Sequence, residues 1–204
     1  MRSLSNFRLV LASRSPQRRA ILTHLGVPFR VAVSDHRERI VAGEPHGSVE
    51  ANARGKARAV LGRERLAGDE LVLGVDTVVV IDGQTLGKAG DANEARAHLS
   101  LLGGREHEVV SGLCLCDGET EFSGHAVTTV TFAPLDAAAV DRYVATGEWR
   151  DRAGAYAIQG YGAALVISVG GDYFNVVGLP VALLGEALAA FGMPRLAWLG
   201  DAGC

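Results

Sequence analysis

Apolar positions along the chain fall into two rhythms, short runs read as strands and three-to-four-residue stripes read as helices. Phe7 to Ala12 is apolar except for Arg8 and predicts a short buried strand. Ser13-Arg14-Ser15-Pro16 then turns into a helix, because a Ser15 hydroxyl can cap free N–H groups and Pro16 suits the first helical position. Ile21, Leu22 and Leu25 form the buried stripe of that helix, and Gly26 marks its end. Val27 to Val33 predicts a second strand. Strand, helix, strand in that order implies parallel pairing in an α/β fold.

Further on, His36 to His46 is polar and reads as loop. Val49 to Leu66 has the composition of a long helix displaying Arg54, Lys56 and Arg58. Leu71 to Ile81 is the clearest strand, followed by a turn at Asp82-Gly83. Asp91 and Glu94 have capping-box spacing for a helix that ends at Gly103-Gly104. Glu108 to Cys116 and Glu121 to Phe132 predict a long hairpin around Asp117-Gly118. A helix over Ala137 to Ala145, a glycine-rich segment, a strand over Ala164 to Val169 and a helix over Pro180 to Phe191 follow. Met193 to Cys204 shows no pattern. With no composition break to mark a linker, residues 1–204 are expected to form one unit with parallel and antiparallel strands.

Composition narrows the function classes. At 204 residues, 48% hydrophobic and 21% charged, the chain has the make-up of a globular protein. A net charge of −3 argues against broad electrostatic capture of nucleic acid or an anionic membrane. No apolar run approaches the ~18 residues of a bilayer span. Leu9 to Ala12 is too short for a signal-peptide core. Cys114, Cys116 and Cys204 make neither a disulfide framework nor a zinc-ligand set, so a reducing cytoplasm is the expected compartment.

Several segments could carry chemistry. The opening turn, Ser13 to Arg19, aims free N–H groups, a helix dipole and two or three guanidinium groups at one spot, which suits a phosphate; a capped helix with solvated arginines is the plainer alternative. Asp76 lies inside LVLGVDTVVVI, where a carboxylate must be paired, hydrogen-bonded or metal-bound. It reads as a general base or metal ligand, or else as a strand end that caps a turn with Thr77. Gly83 to Ala89 resembles a phosphate loop around Lys88. It is one residue short, and Ala89 stands where a magnesium-holding hydroxyl is needed, so that reading fails. Gly154 to Gly160 is small enough for close approach to a flat ligand, with Gln159 offering a donor and an acceptor, or is a tight connection only. The six histidines are dispersed and read as surface or packing residues, and Cys114 and Cys116 as core.

Taken together, LASRSPQRRAIL, ARGKARAV, VLGVDTVVVIDGQTLGKAGD, LLGGREHEVVSGLCL, AGAYAIQGYGAALV and GDYFNVVGLPVALL resemble the Maf family of nucleoside triphosphate pyrophosphatases from Leu9 to about Leu188. The resemblance implies an elongated mixed sheet flanked by helices, with an active-site cleft between two lobes. It implies hydrolysis of a nucleoside triphosphate between its α- and β-phosphates with a divalent cation, Mg²⁺ or Mn²⁺. Asp76 matches the family's catalytic proton acceptor, Lys56 and Lys88 its phosphate-facing lysines, and Glu38, with Asp76, its metal-binding edge. Ser13, Ser15, Gln17 and Arg18 match the opening anion site, and Thr77 and Gln159 positions that shape base selection. AYAIQG resembles the branch acting on dTTP and UTP.

This sequence departs from the family pattern where Gln17 replaces an arginine, Ala89 a proline and Arg152 a lysine. The expected role is house-cleaning of the nucleotide pool. Its alternatives are a non-catalytic nucleotide-binding regulator of cell division and a purine-directed pyrophosphatase for ITP or XTP. The expected partner is the nucleotide substrate, with neither nucleic acid nor membrane, and a homodimer is left open.

Overall fold

A computed structural model describes residues 7–196. They form β1 (Arg8–Leu11), α1 (Pro16–His24), β2 (Phe29–Val31), α2 (Pro45–Leu61), β3 (Glu70–Ile81), β4 (Gln84–Leu86) and α3 (Ala92–Leu102). The second half contributes β5 (Glu106–Cys116), β6 (Glu121–Phe132), α4 (Ala137–Ala145), a 3₁₀ turn at Tyr161–Leu165, β7 (Val166–Gly170), α5 (Tyr173–Val177) and α6 (Val181–Ala190). The fold is α/β, and the seven strands make one mixed sheet in the order β2-β1-β3-β5-β6-β7, with β4 also on β3. The opening strands pair in parallel, β1 with both β2 and β3. From β3 onward the partners are antiparallel.

Local chemistry sets the element ends. The Ser15 hydroxyl accepts the Arg18 N–H at 3.4 Å, with Pro16 opening α1. Asp91 accepts from the N–H groups of Asn93 and Glu94, and the Glu94 carboxylate reaches back to the Gly90 N–H at 2.7 Å. The β5–β6 hairpin is closed by Asp117, whose carboxylate takes the N–H groups of Glu119 and Thr120.

Four expectations shift. Helix α2 begins at Pro45, not Val49, since proline at the first position starts a helix. It ends at Leu61, with Gly62 as its C-cap, and not at Leu66. The second strand shrinks to Phe29–Val31, because Val27 and Pro28 are spent in the turn: the Val27 N–H bonds the Leu22 carbonyl, and the Pro28 carbonyl takes the Leu9 N–H. The third and fourth differences are β4 and α5, each too short to carry a periodicity. Cys204 and the rest of residues 197–204 lie outside the described residues, whereas Cys114 and Cys116 are core.

The two faces of β3 are packed differently. Leu71, Leu73 and Val75 meet α1 and α6 through Ile21, Leu22, Leu184 and Leu188. Val79 and Ile81, farther along the same face, meet Leu99 of α3, Val140 of α4, Trp149 and Tyr156. Thr77 sits between these two apolar clusters. On the other face α2 lies against the sheet, with Ala53, Ala57 and Val60 over Val72 and Cys114.

Along its outer edge β3 pairs with β1 only over Glu70–Leu73 and with β4 only over Val79–Ile81. Residues 74–78 therefore border a notch where, among the described residues, no strand lies alongside. Asp76 and Thr77 are at the middle of that notch, so groups from both faces of the sheet can meet around one backbone edge. This is the feature of the fold that positions the site.

One buried polar pair makes the core sensitive to acid. His107 donates to or accepts from the Tyr156 hydroxyl at 3.0 Å, and burial pushes its imidazole down to about 4. The unfolded chain takes up this proton near pH 6.5 and the native protein does not. Stability is thus full above that pH and falls as pH drops toward 4. Between pH 7 and 5 the parent should lose about 2 kcal/mol more than His107→Gln, measured by urea unfolding at each pH. Equal losses would remove His107 as the cause.

Candidate active site

Helix α2 presents a polar stripe at Ser48, Asn52 and Lys56, spaced four apart and hence on one face. All three are buried against β3 and the chain before the helix. The Lys56 ammonium sits 2.8 Å from Asp76 Oδ1 and 2.6 Å from Glu38 Oε1, and donates to the Val75 carbonyl at 3.0 Å. Asn52 donates to Asp76 Oδ2 at 2.8 Å. Both oxygens of the 5% exposed Asp76 carboxylate are therefore engaged, which satisfies the demand made by its apolar strand. Glu38, by contrast, reaches in from an exposed segment.

Two glycines bring the helix this close. A Cβ at Gly74 would collide with the Ala53 carbonyl, and one at Gly112 with the Val49 carbonyl. A third, Gly55, lies directly under the His36 ring. The α2 backbone thus rests on the strands themselves, within reach of a lysine stem and a short asparagine.

On the opposite face of β3, Arg18 is buried and makes three hydrogen bonds. It donates to the Ser13 hydroxyl at 3.0 Å, the Thr77 hydroxyl at 3.1 Å and the Gly178 carbonyl at 2.8 Å. Thr77 also pairs with Ser111 at 2.8 Å. Burial lowers the Arg18 pKa, opposed by the charges of Asp76 and Glu38, so the guanidinium feels both carboxylates from across the strand. The opening turn delivers one guanidinium inward, not two or three: Arg14 and Arg19 are exposed. Ser15 is spent on capping and on the Gln17 side chain, 2.9 Å away.

Beside Arg18 opens a cavity of about 180 Å³ lined by Gln17, Gln159, Arg152, Glu148, Tyr156 and Val177, among others. Its floor is rigid. Glu148 accepts from the N–H groups of Tyr161 and Gly162 and from the Tyr143 hydroxyl, and burial is the main reason that the Tyr143 hydroxyl holds its proton more tightly. Among the described residues no partner reaches the buried Nε–H of Arg152. The glycine-rich segment is therefore both a tight connection, through buried Ala155 and Ile158, and one wall of a cavity, through Gln159.

The structure brings Asp76, Lys56 and Glu38 together, and Ser13, Arg18 and Thr77 together one residue away. Gln17 and Gln159 face one cavity. Lys88 stands apart from these contacts: its exposed ammonium lies 3.7 Å from Asp151, and its backbone bridges Ala153 next to Arg152.

Among the described residues, no three His, Cys, Asp or Glu side chains converge as a ready-made metal cage. Glu38 and Asp76 nonetheless converge, lying 2.6 and 2.8 Å from the one Lys56 ammonium. Two carboxylates, with water and substrate phosphates completing the shell, are a normal arrangement for Mg²⁺. The donor set fits such an ion.

Sequence reasoning missed Asn52, Ser111, Gly74, Gly112 and the Gly178 carbonyl. Only Asn52 had a signal, its four-residue spacing from Lys56. The glycines and the carbonyl become visible only once distant segments are packed together.

A family model described as Maf-like protein matches residues 8–191. Among similar proteins, the dTTP/UTP pyrophosphatase of Symbiobacterium thermophilum is 48% identical over 187 residues, covering 91% of this chain and 95% of its own. That of Anaeromyxobacter sp. is 48% identical over 198 residues, covering 94% and 93%. The dTTP/UTP pyrophosphatase of Alcanivorax borkumensis is 41% identical, covering 91% and 96%.

Proposed function

The chain belongs to the Maf family, and from that premise we propose that it is a nucleoside triphosphate pyrophosphatase acting on dTTP and UTP. The products are the nucleoside monophosphate and pyrophosphate, in keeping with a house-cleaning role in the nucleotide pool. The observation that carries this reading is Asp76, a buried carboxylate at a notch in the sheet edge, held by Lys56 and Asn52 on one face of β3 while Arg18 bonds its neighbour Thr77 on the other.

Water attacks the α-phosphorus, the bond to the α,β-bridging oxygen breaks, and pyrophosphate leaves. Asp76 accepts the proton of the attacking water. Lys56 fixes the orientation of that carboxylate, and Arg18 adds fixed positive charge from across the strand. The charges of the centre favour an added cation. One ammonium and one guanidinium already face two carboxylates, which leaves no surplus to offset a triphosphate. A bound Mg²⁺ or Mn²⁺ would be held by Glu38 and Asp76, and would supply that neutralisation. Lys88, exposed beside Asp151, adds a positive charge for the departing pyrophosphate.

Base selection falls to the cavity. Gln159 and Gln17 offer both donors and acceptors, and the Arg152 Nε–H is a donor still without an acceptor. A pyrimidine with two carbonyl oxygens suits such a set, and the cleft then lies between the two apolar clusters of the β3 face.

The test is a panel of dTTP, UTP, ITP and XTP incubated with protein and Mn²⁺, with products separated by chromatography. Monophosphate and pyrophosphate from dTTP and UTP are the expected result. Diphosphate and phosphate would overturn the position of cleavage, preference for ITP or XTP the base, and unchanged nucleotide the enzyme itself in favour of a binding protein.

A further inference from the structure

The segment from His36 to Val41 lacks regular secondary structure, yet four of its six residues contact α2, two of them through the backbone. The His36 ring lies over Gly55. Glu38 pairs with Lys56. The Arg39 N–H donates to Asn52 Oδ1 at 2.9 Å, and Asn52 Nδ2 donates to the Arg39 carbonyl at 3.0 Å. The Val41 N–H donates to the Ser48 hydroxyl at 2.9 Å. The segment thus runs antiparallel to the helix as a strap, with 36, 38, 39 and 41 meeting 55, 56, 52 and 48.

Lys56 and Asn52 both touch the strap and Asp76, Lys56 through the Glu38 carboxylate; among the described residues Asn52 alone joins the backbone of the strap to the Asp76 carboxylate. Its amide is 2% exposed, and both its ends are used: the oxygen on the Arg39 N–H, the nitrogen on the Arg39 carbonyl and on Asp76 Oδ2. From this we infer that Asn52 is a positioning residue, which sets the exposed Glu38 against the buried Asp76 by clamping the strap to the carboxylate. The inference rests on the proposed reading of Asp76 and Glu38 as the reactive centre.

The physical argument is one of preorganisation. Glu38 is carried by an exposed segment whose neighbours Arg37, Arg39 and Ile40 are also exposed, so apolar burial does little to hold it. Besides the ion pair with Lys56, its geometry depends on three backbone hydrogen bonds to two α2 side chains, Asn52 and Ser48. Asn52 makes two of them and spends its remaining N–H on the base. Leucine, close in volume, removes all three bonds and leaves the Arg39 N–H and carbonyl free to turn to water.

Asn52→Leu should lower kcat on dTTP about 10- to 100-fold, the usual range for a supporting partner of a reactive site, with KM nearly unchanged. By hydrogen exchange, the Arg39 amide should lose protection while the amides of β3 keep theirs. Glu38→Gln should cost much less in the Asn52→Leu background than in the parent, since both act through one contact. Ser48→Ala, which frees only the Val41 N–H, should show a smaller loss of the same kind. It decides the question if Asn52→Leu does not fold.

Parental kcat in Asn52→Leu would overturn the inference. So would a fall in kcat accompanied by lost protection across β3, which marks a merely structural residue, or parental kcat in Ser48→Ala with the Val41 amide exposed. An active Asn52→Leu beside an inactive Asp76→Asn strikes this inference alone, whereas an active Asp76→Asn strikes the reading of the centre.

Discussion

Asp76→Asn should keep the fold and lose turnover of dTTP by about 10²- to 10⁴-fold, the range that a positioned general base supplies. The amide has the size and shape of the carboxylate but cannot take a proton from water. It also meets two donors, Lys56 Nζ and Asn52 Nδ2, where the carboxylate offered two acceptors. One of them must lose its partner, at about 1–3 kcal/mol. Lys56 remains satisfied by Glu38 and the Val75 carbonyl, so an uncompensated buried charge is avoided. Single-turnover product analysis, with thermal melts of parent and variant, separates the two effects. Turnover at the parental rate would remove Asp76 from the chemistry.

The second large effect falls on stability. Gly112→Ala adds one carbon directly against the Val49 carbonyl and within 2.5 Å of the Glu50 nitrogen. Both neighbours are helix backbone, which cannot rotate aside as a flexible side chain would, so α2 must move off the sheet. We expect a loss of about 3 kcal/mol, the upper part of the usual overpacking range. For a chain of this size that lowers Tm by roughly 6–12 °C. Activity should fall further than the melting curve implies, because α2 carries Asn52 and Lys56 away from Asp76. Gly185→Ala is the control: nothing lies within 4 Å of its Cβ position, in the middle of α6. There alanine should be neutral or stabilising by up to about 1 kcal/mol. Equal melting temperatures for Gly112→Ala and Gly185→Ala would mean that α2 does not rest on the strands as described.

Both predictions depend on the same contact, the α2 backbone lying on β3 and β5. A helix packed at the usual distance would leave Asn52 too short to reach Asp76. Gly74 and Gly112 are paired neither in sequence nor in register, where Gly112 sits opposite Asp76. Their shared role is visible only from the helix that covers them. Some glycines scattered along this sequence thus mark close approach of backbones, not turns.

The α1 cap was legible at Ser15 and Pro16, and the α3 cap at Asp91 and Glu94, because capping is decided within four residues. Strand β3 was legible from its apolar run, and the β5–β6 hairpin from Asp117-Gly118. Asp76 could be singled out from its own surroundings, since a carboxylate in such a strand requires a partner wherever it is. The boundaries of α2 differ from the expected ones for a local reason too: Pro45 and Gly62 outweigh an apolar pattern that begins and ends later. The Arg18 cluster was misread because nothing local distinguishes the one arginine that turns inward from two that do not.

From the chain alone came the α/β order, the helix caps, the parallel opening and the candidacy of Asp76, all set by periodicity, sterics and desolvation over a few residues, whereas Lys56 and Arg18 were marked out by the family resemblance. What only the tertiary structure decided is who meets whom: Asn52 with Asp76 across 24 positions, Arg18 with Gly178 across 160, and Lys88 with Asp151. Those meetings follow from where β1 stops and β4 starts along β3, which opens the notch, and from two glycines that admit a helix. Register and close approach are properties of packed surfaces, to which segments far apart in the chain contribute together.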